Sequence, residues 1–168
     1  METPRIYIET TIPSFYYTER TDADAIARRQ WTRDWWQRAV TESEMVTSAN
    51  VIRELERGAH LDSVAQRLEL IKDLPILPID ESISEIVQVY LQHRLMPSDP
   101  LGDAFHLAIA SVYKCDFLVT WNCSHLANAN KFGHIRRINV MLDLFVPTLV
   151  TPLGLLNEEL PDENEPTS

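Results

Sequence analysis

The chain has 168 residues, with fifteen Lys and Arg against twenty-five Asp and Glu, for a formal net charge of −10. With 45% hydrophobic and 24% charged side chains, it is neither a disordered polymer nor a fibre, and one compact domain with its own core is expected. It holds no 18-residue apolar run: the greasiest stretch, 139–156, is broken by Asp143, Pro147 and Pro152, so no membrane-spanning helix is expected.

The opening Met-Glu-Thr-Pro-Arg leads straight into a strand pattern. No secretory signal is expected there. Cys115 and Cys123 form no CxxC pair or disulfide framework, which suits a reducing, cytoplasmic setting. Half of the net charge sits in residues 157–168, where Glu158, Glu159, Asp162, Glu163 and Glu165 occur without Lys or Arg. That segment reads as a disordered acidic tail, leaving a domain over 1–156. An acidic body does not favour loose binding to nucleic acid, so a polyanion would need a local basic patch or a metal ion.

In chain order, a first apolar run at Arg5–Glu9 has strand character. Ala23, Ala27, Trp31, Trp35 and Ala39 then fall on one helical stripe. Met45–Ser48 predicts a second strand, followed by a short helix over 50–58 with Gly58 as its C-cap. Leu61, Val64, Ala65, Leu68 and Ile71 mark another helix. The strand-like run Leu74–Ile79 contains Pro75 and Pro78 and belongs at a sheet edge. Ser82 to Glu85 reads as a capping box opening the next helix. Ser98-Asp99-Pro100 resembles an N-cap with proline at the first helical position, opening a central buried helix from Leu101 to Tyr113. Asp116–Thr120 is a fourth strand, 134–145 a weaker helix, and Thr148–Thr151 a fifth strand. The strands are continuously apolar and alternate with helices, which predicts an α/β sandwich around a mostly parallel sheet.

In such sheets ligands bind at the carboxyl ends of the strands. Glu9 ends the first strand, Glu54 lies on the helix after the second, Asp103 opens the buried helix, and Asn122 follows the fourth strand. Three carboxylates and an amide are oxygen donors, suited to a hard cation such as Mg²⁺ or Mn²⁺. Without a cation, carboxylates packed together would repel one another. His60, His93, His106, His125 and His134 lack ligand spacing and read as surface or satisfied core residues.

The sequence resembles the PIN domain family and, within it, the VapC-type toxins of bacterial toxin–antitoxin pairs. Ile6-Tyr-Ile-Glu-Thr-Thr-Ile-Pro-Ser14 is similar to the first strand and acidic motif, with Thr11 as the hydroxyl two residues after the acid. The run from Val46 to Gly58 resembles the second motif, with Glu54 as its acid. Asp103-Ala-Phe-His-Leu-Ala-Ile-Ala110 resembles the third, and Phe117-Leu-Val-Thr-Trp-Asn122 the fourth. Thr151 to Leu156 is similar to the closing strand and turn. The resemblance implies a PIN-like α/β/α sandwich, a metal-dependent ribonuclease, a homodimer and a cognate antitoxin that inhibits it.

Two positions depart from that pattern: Glu9 stands where aspartate is usual, and Asn122 where a fourth acid is usual. Three formal negatives remain, so one well-held metal and reduced activity are expected. In this reading Glu9, Glu54 and Asp103 hold Mg²⁺ (or Mn²⁺), Glu54 ligating it or orienting the attacking water. Thr11, Thr120 and Asn122 position groups around them. The substrate would be single-stranded or loop RNA, gripped by Arg20, Arg28, Arg29, Arg33 and Arg38. Trp31 and Trp35 read as core or dimer contacts. The competing reading is an RNA- or partner-binding module that has kept the fold and lost the chemistry. A phosphatase on a doubly wound sheet fits less well, because the chain shows neither an Asp-x-Asp motif nor a glycine-rich phosphate loop and has only four glycines.

Overall fold

A computed structural model describes residues 3–58, 61–97 and 101–158. Five strands, β1 (Arg5–Ile8), β2 (Glu44–Ser48), β3 (Ile76–Leu77), β4 (Phe117–Val119) and β5 (Thr148–Val150), form one sheet in the order β3-β2-β1-β4-β5. Every pairing is parallel, with Tyr7 opposite Val46 on one side and Leu118 on the other. The proline-bearing strand is reduced to two residues and lies at an edge, as the missing ladder donors require.

Successive side chains of β1 point to opposite faces, and Ile6, Tyr7 and Ile8 are at most 4% exposed. Both faces are therefore covered, giving the α/β/α sandwich with its parallel central sheet. Burying each such side chain stabilises the fold by roughly 1.5–3 kcal/mol. The covering helices are α1 (Thr11–Tyr16), α2 (Ala23–Glu42), α3 (Ala49–Glu56), α4 (Leu61–Ile71), α5 (Glu81–Gln92), α6 (Gly102–Val112), α7 (Ala129–Met141) and α8 (Pro152–Glu158). Helix α6 packs on α5 and α3, and α2 packs on α1 and α8. As its apolar circumference predicts, α6 is the buried helix, with only Gly102, Phe105 and Val112 outside the core.

Several local expectations are corrected. Helix α1, absent from the sequence reading, begins three residues after β1; Ile12 and Pro13 are buried and Ser14 Oγ bonds the Thr10 carbonyl at 2.9 Å. The buried face of α2 runs through Ala25, Thr32, Trp35, Trp36 and Ala39, leaving Ala27 and Trp31 half-buried. Asp80, not Ser82, caps α5, its carboxylate accepting from Ile83 N at 3.2 Å. Helix α7 starts at Ala129, capped by Asn128, and ends at Met141, rather than spanning 134–145. The segment after β5 is the helix α8 rather than a turn, and extends to Glu158. Residues 98–100, read as an N-cap, lie outside the described residues, as does His60 and the tail from 159.

Helices α5, α6 and α7 end alike. Arg94, Lys114 and Asp143 adopt left-handed φ of 52°, 52° and 56°. In each case the next amide reaches back five residues: Leu95 N to Tyr90 O, Cys115 N to Ala110 O and Leu144 N to Asn139 O, at 2.7–2.9 Å. Gly58 is not left-handed; it is required by proximity, since a Cβ there would sit 3.0 Å from the Leu55 carbonyl oxygen.

Candidate metal centre at the carboxyl edge of the sheet

The central strands deliver their first polar side chains to one edge. Glu9 follows β1 and is 3% exposed. Its Oε2 accepts from Thr11 N at 3.1 Å, Thr11 Oγ1 at 2.6 Å and Thr120 Oγ1 at 2.6 Å. Thr11 Oγ1 in turn accepts from Trp121 N at 2.8 Å, linking α1 to the chain beyond β4. Burial pushes the Glu9 carboxyl above its ordinary pKa, against the pull of His106 and the threonine hydroxyls.

Glu54 approaches from α3. Thr10 Oγ1 donates to its Oε2 at 2.7 Å, and its Oε1 lies 2.8 Å from His106 Nε2. Burial opposes ionisation of Glu54, but His106 and Thr10 outweigh it and hold its pKa below the ordinary value. His106 is fully buried on α6. Burial disfavours its charge, yet Glu54, Glu9 and Asp103 together raise its pKa. The other ring nitrogen, Nδ1, is 2.7 Å from Tyr7 Oη, which is 2.7 Å from Ser48 Oγ. One donor atom from each of Glu9, Glu54 and His106 lies within 4.8 Å of the other two.

Asp103, one turn before His106 on α6, belongs to an adjoining group. Its Oδ2 accepts from Asn122 Nδ2 at 3.1 Å and lies 3.0 Å from His125 Nδ1. Asn122 Oδ1 accepts from the amides of Ser124 and His125 at 3.2 and 3.0 Å, the turn role natural to asparagine after a strand. Thr120 Oγ1 accepts from Asn122 N at 2.9 Å. The close spacing of Gly102 explains how Glu54 enters: a Cβ there would stand 2.4 Å from Glu54 Oε1.

Of the five arginines, Arg28 comes to this rim. Its Nη1 lies 3.4 Å from the Trp121 carbonyl, its guanidinium covers the rings of Phe15 and Trp121, and it pairs with Asp24 at 3.2 Å. Arg29 and Arg33 instead bond the carbonyls of Thr18 and Tyr16, bracing α1 against α2. Arg20 forms a two-pronged pair with Asp22, and Arg38 is exposed on α2. Trp35 is core, while Trp31 stacks on Trp121 at 6.1 Å.

The sequence reading missed His106 and His125 as site neighbours. His106 has no local partner at ligand spacing, because parallel crossovers separate it in sequence from Glu9 and Glu54. The alternation of β1 was the available signal: Tyr7 and Glu9 share a face, and that face meets α6.

The PIN domain family model matches residues 6–122. The chain belongs to the PIN domain family. The motif acids Glu9, Glu54 and Asp103 and the neutral Asn122 all lie within the matched span. No curated protein matches by sequence. Among solved structures, a chain of the VapBC2 complex from Rickettsia felis bound to a DNA fragment from their promoter aligns with a TM-score of 0.55. The identity is 12%, and the alignment covers 88% of this chain and 98% of that one. At that identity the likeness is one of fold. Among the described residues, no helix is long and apolar enough to cross a membrane.

Proposed function

We propose that this PIN domain is a divalent-metal-dependent endoribonuclease that hydrolyses phosphodiester bonds in single-stranded or loop RNA. The observation that carries the reading is the convergence of Glu9 and Glu54, from separate crossovers, on one point of the carboxyl edge. The donor set fits a cation: Glu54 Oε1 is a buried carboxylate oxygen without an aligned hydrogen bond, in contact only with His106 Nε2 at 2.8 Å, and carboxylates gathered in one place repel one another without a cation. Glu9 and Glu54 would hold Mg²⁺ or Mn²⁺, with Asp103 completing the acidic set from the adjoining turn of α6. A divalent ion in such a site lowers the pKa of water and polarises a phosphoryl oxygen.

The chain's own groups do the positioning. Thr11 and Thr120 fix one oxygen of Glu9, Thr10 fixes one oxygen of Glu54, and Asn122 holds Asp103. Arg28 is placed to meet a phosphate at the rim, and Arg20, Arg29, Arg33 and Arg38 lend positive potential to the same helical segment. As in the VapC-type toxins that its motifs resemble, the protein would be a cytoplasmic homodimer inhibited by a cognate antitoxin. Calorimetry with Mg²⁺ and Mn²⁺, combined with an RNA cleavage screen of wild type and Asp103→Asn, tests the reading. Metal binding with cleavage that Asp103→Asn abolishes supports it. Equal cleavage by the variant removes Asp103 from the site.

A second reading, a binding module with little or no activity, draws on one observation. Asn122 presents an amide donor to Asp103 where a fourth acid would add charge. RNA or partner binding without cleavage at any metal concentration would favour it.

A further inference from the structure

We propose that His106 Nε2 is itself a metal donor, forming with Glu9 and Glu54 a mixed nitrogen–oxygen site that prefers a transition-metal ion such as Mn²⁺ to Mg²⁺. This rests on the reading that the carboxylate pair binds a divalent cation, and adds to it the identity of the third donor and of the ion.

Three features of the His106 environment support the assignment. First, His106 is fully buried, yet its Nε2 makes no aligned hydrogen bond among the described residues. The neighbouring Glu54 Oε1 is in the same condition, although the two atoms are 2.8 Å apart. A neutral or charged imidazole paired with a carboxylate would aim its N–H at the oxygen. Here the two atoms are in close contact without meeting hydrogen-bond geometry. Two ligands at right angles on one ion, with bonds of about 2.1 Å, stand about 3.0 Å apart. The observed separation is close to that of adjacent ligands.

Second, the far side of the ring is organised as metal-binding histidines usually are. Nδ1 is 2.7 Å from Tyr7 Oη, and Tyr7 Oη is 2.7 Å from Ser48 Oγ. In the tautomer in which Nδ1–H donates to Tyr7 and Tyr7 donates to Ser48, one that these distances allow, the lone pair is on Nε2, facing the carboxylates. An outer partner that fixes the tautomer in this way orients the ring and raises its basicity as a ligand.

Third, donor chemistry sets the ion. Imidazole suits transition metals, whereas Mg²⁺ favours oxygen ligands and water. Two carboxylates with one imidazole therefore favour Mn²⁺ and its neighbours over Mg²⁺. The carboxylate of Asp103 is turned toward Asn122 and His125, which leaves the inner nitrogen position to His106.

The test uses the full chain, without any polyhistidine tag, loaded with Mn²⁺ and read by pulsed EPR for ¹⁴N hyperfine coupling. Coupling in wild type, lost in His106→Gln, is expected. In competition calorimetry, wild type should bind Mn²⁺ at least about tenfold more tightly than Mg²⁺, and His106→Gln should remove most of that preference. Should His106→Gln fail to fold, wild type alone decides by its coupling, and Tyr7→Phe should weaken Mn²⁺ binding while keeping the ring. Mn²⁺ bound in a manner abolished by Glu9→Gln, but without ¹⁴N coupling, overturns the assignment and leaves the carboxylate metal site standing. Absence of binding by either ion overturns both.

Discussion

The hydroxyl of Thr120 donates to Glu9 Oε2 at 2.6 Å, joining through side chains the ends of two strands already paired through their backbones. Both residues are buried, so this bond has no water to replace it. Thr120→Val keeps the shape and removes the donor. Leaving a buried carboxylate short of one partner costs about 1–3 kcal/mol. Urea unfolding at pH 7 should show a loss of that size; an unchanged midpoint would mean that solvent reaches Glu9.

Glu9 also gives the metal-free protein an inverted pH dependence. Burial raises its carboxyl pKa above the ordinary 4.5. The folded state then holds the proton more tightly than the unfolded chain does, so Glu9's contribution is fully present below pH 4.5 and is lost as pH rises through the folded value. Glu9→Gln should therefore raise the Tm at pH 8 in chelator, with the gap to wild type closing toward pH 4.5. Glu54, whose pKa is lowered, acts in the opposite sense and loses its contribution on acidification; it is common to both proteins and cancels in the comparison. A gap that is constant with pH would assign the effect to packing.

Asn122→Asp places a second carboxylate where an amide now donates to Asp103 at 3.1 Å. The turn acceptors of Ser124 N and His125 N are retained, because either oxygen can serve. In chelator the variant should be less stable by on the order of 1–3 kcal/mol. Added Mg²⁺ should stabilise it more than wild type, since a ligand that binds only the folded state stabilises in proportion to its affinity. If the protein cleaves RNA, the variant should gain most at low Mg²⁺. Equal thermal shifts with metal in both proteins would place Asn122 outside the cation's reach.

Much of the frame could be read from the sequence because it rests on local signals. Runs such as Ile6-Tyr-Ile8 and Phe117-Leu-Val119 announce strands covered on both faces, and Ala104 to Ala110 a helix buried except at Phe105. The carboxyl-edge rule points to Glu9, Glu54, Asp103 and Asn122, which lie in two adjoining groups, Glu9 and Glu54 with His106, and Asp103 and Asn122 with His125. What escaped the sequence was set by tertiary context. No pattern announces the helix at Thr11, where Thr11 turns back to bond Glu9 and Trp121. Arg29 and Arg33, read as part of a nucleic-acid grip, also have a structural task that the sequence does not announce: they bond the carbonyls of Thr18 and Tyr16. His106 had no pattern to betray it, since its partners lie on other crossovers.

Gly133 lies inside α7 with a φ that is not left-handed, and a Cβ there meets nothing within 4 Å. Gly133→Ala should therefore stabilise the protein by about 0.5–1 kcal/mol through backbone entropy alone. Thermal unfolding would show the gain; a loss would mean that another surface packs against this turn.

Gly102 separates metal binding from folding. A Cβ at this position would stand 2.4 Å from Glu54 Oε1 and 3.2 Å from Glu54 Cδ. The backbone of Gly102 is helical and without positive φ, so alanine suits it and even favours α6. The clash falls on the free end of a flexible side chain, which can swing aside at little cost to the fold. In doing so it carries Oε1 away from His106 Nε2 and from Glu9. Gly102→Ala should keep its stability within about 1 kcal/mol of wild type while Mn²⁺ and Mg²⁺ affinity falls by roughly 10–100-fold, the loss typical when a ligand's support is disturbed. Calorimetry beside urea unfolding reads both quantities on one sample. Unaltered metal affinity with the methyl in place would mean that the ion is held without Glu54, and that α3 serves the fold alone.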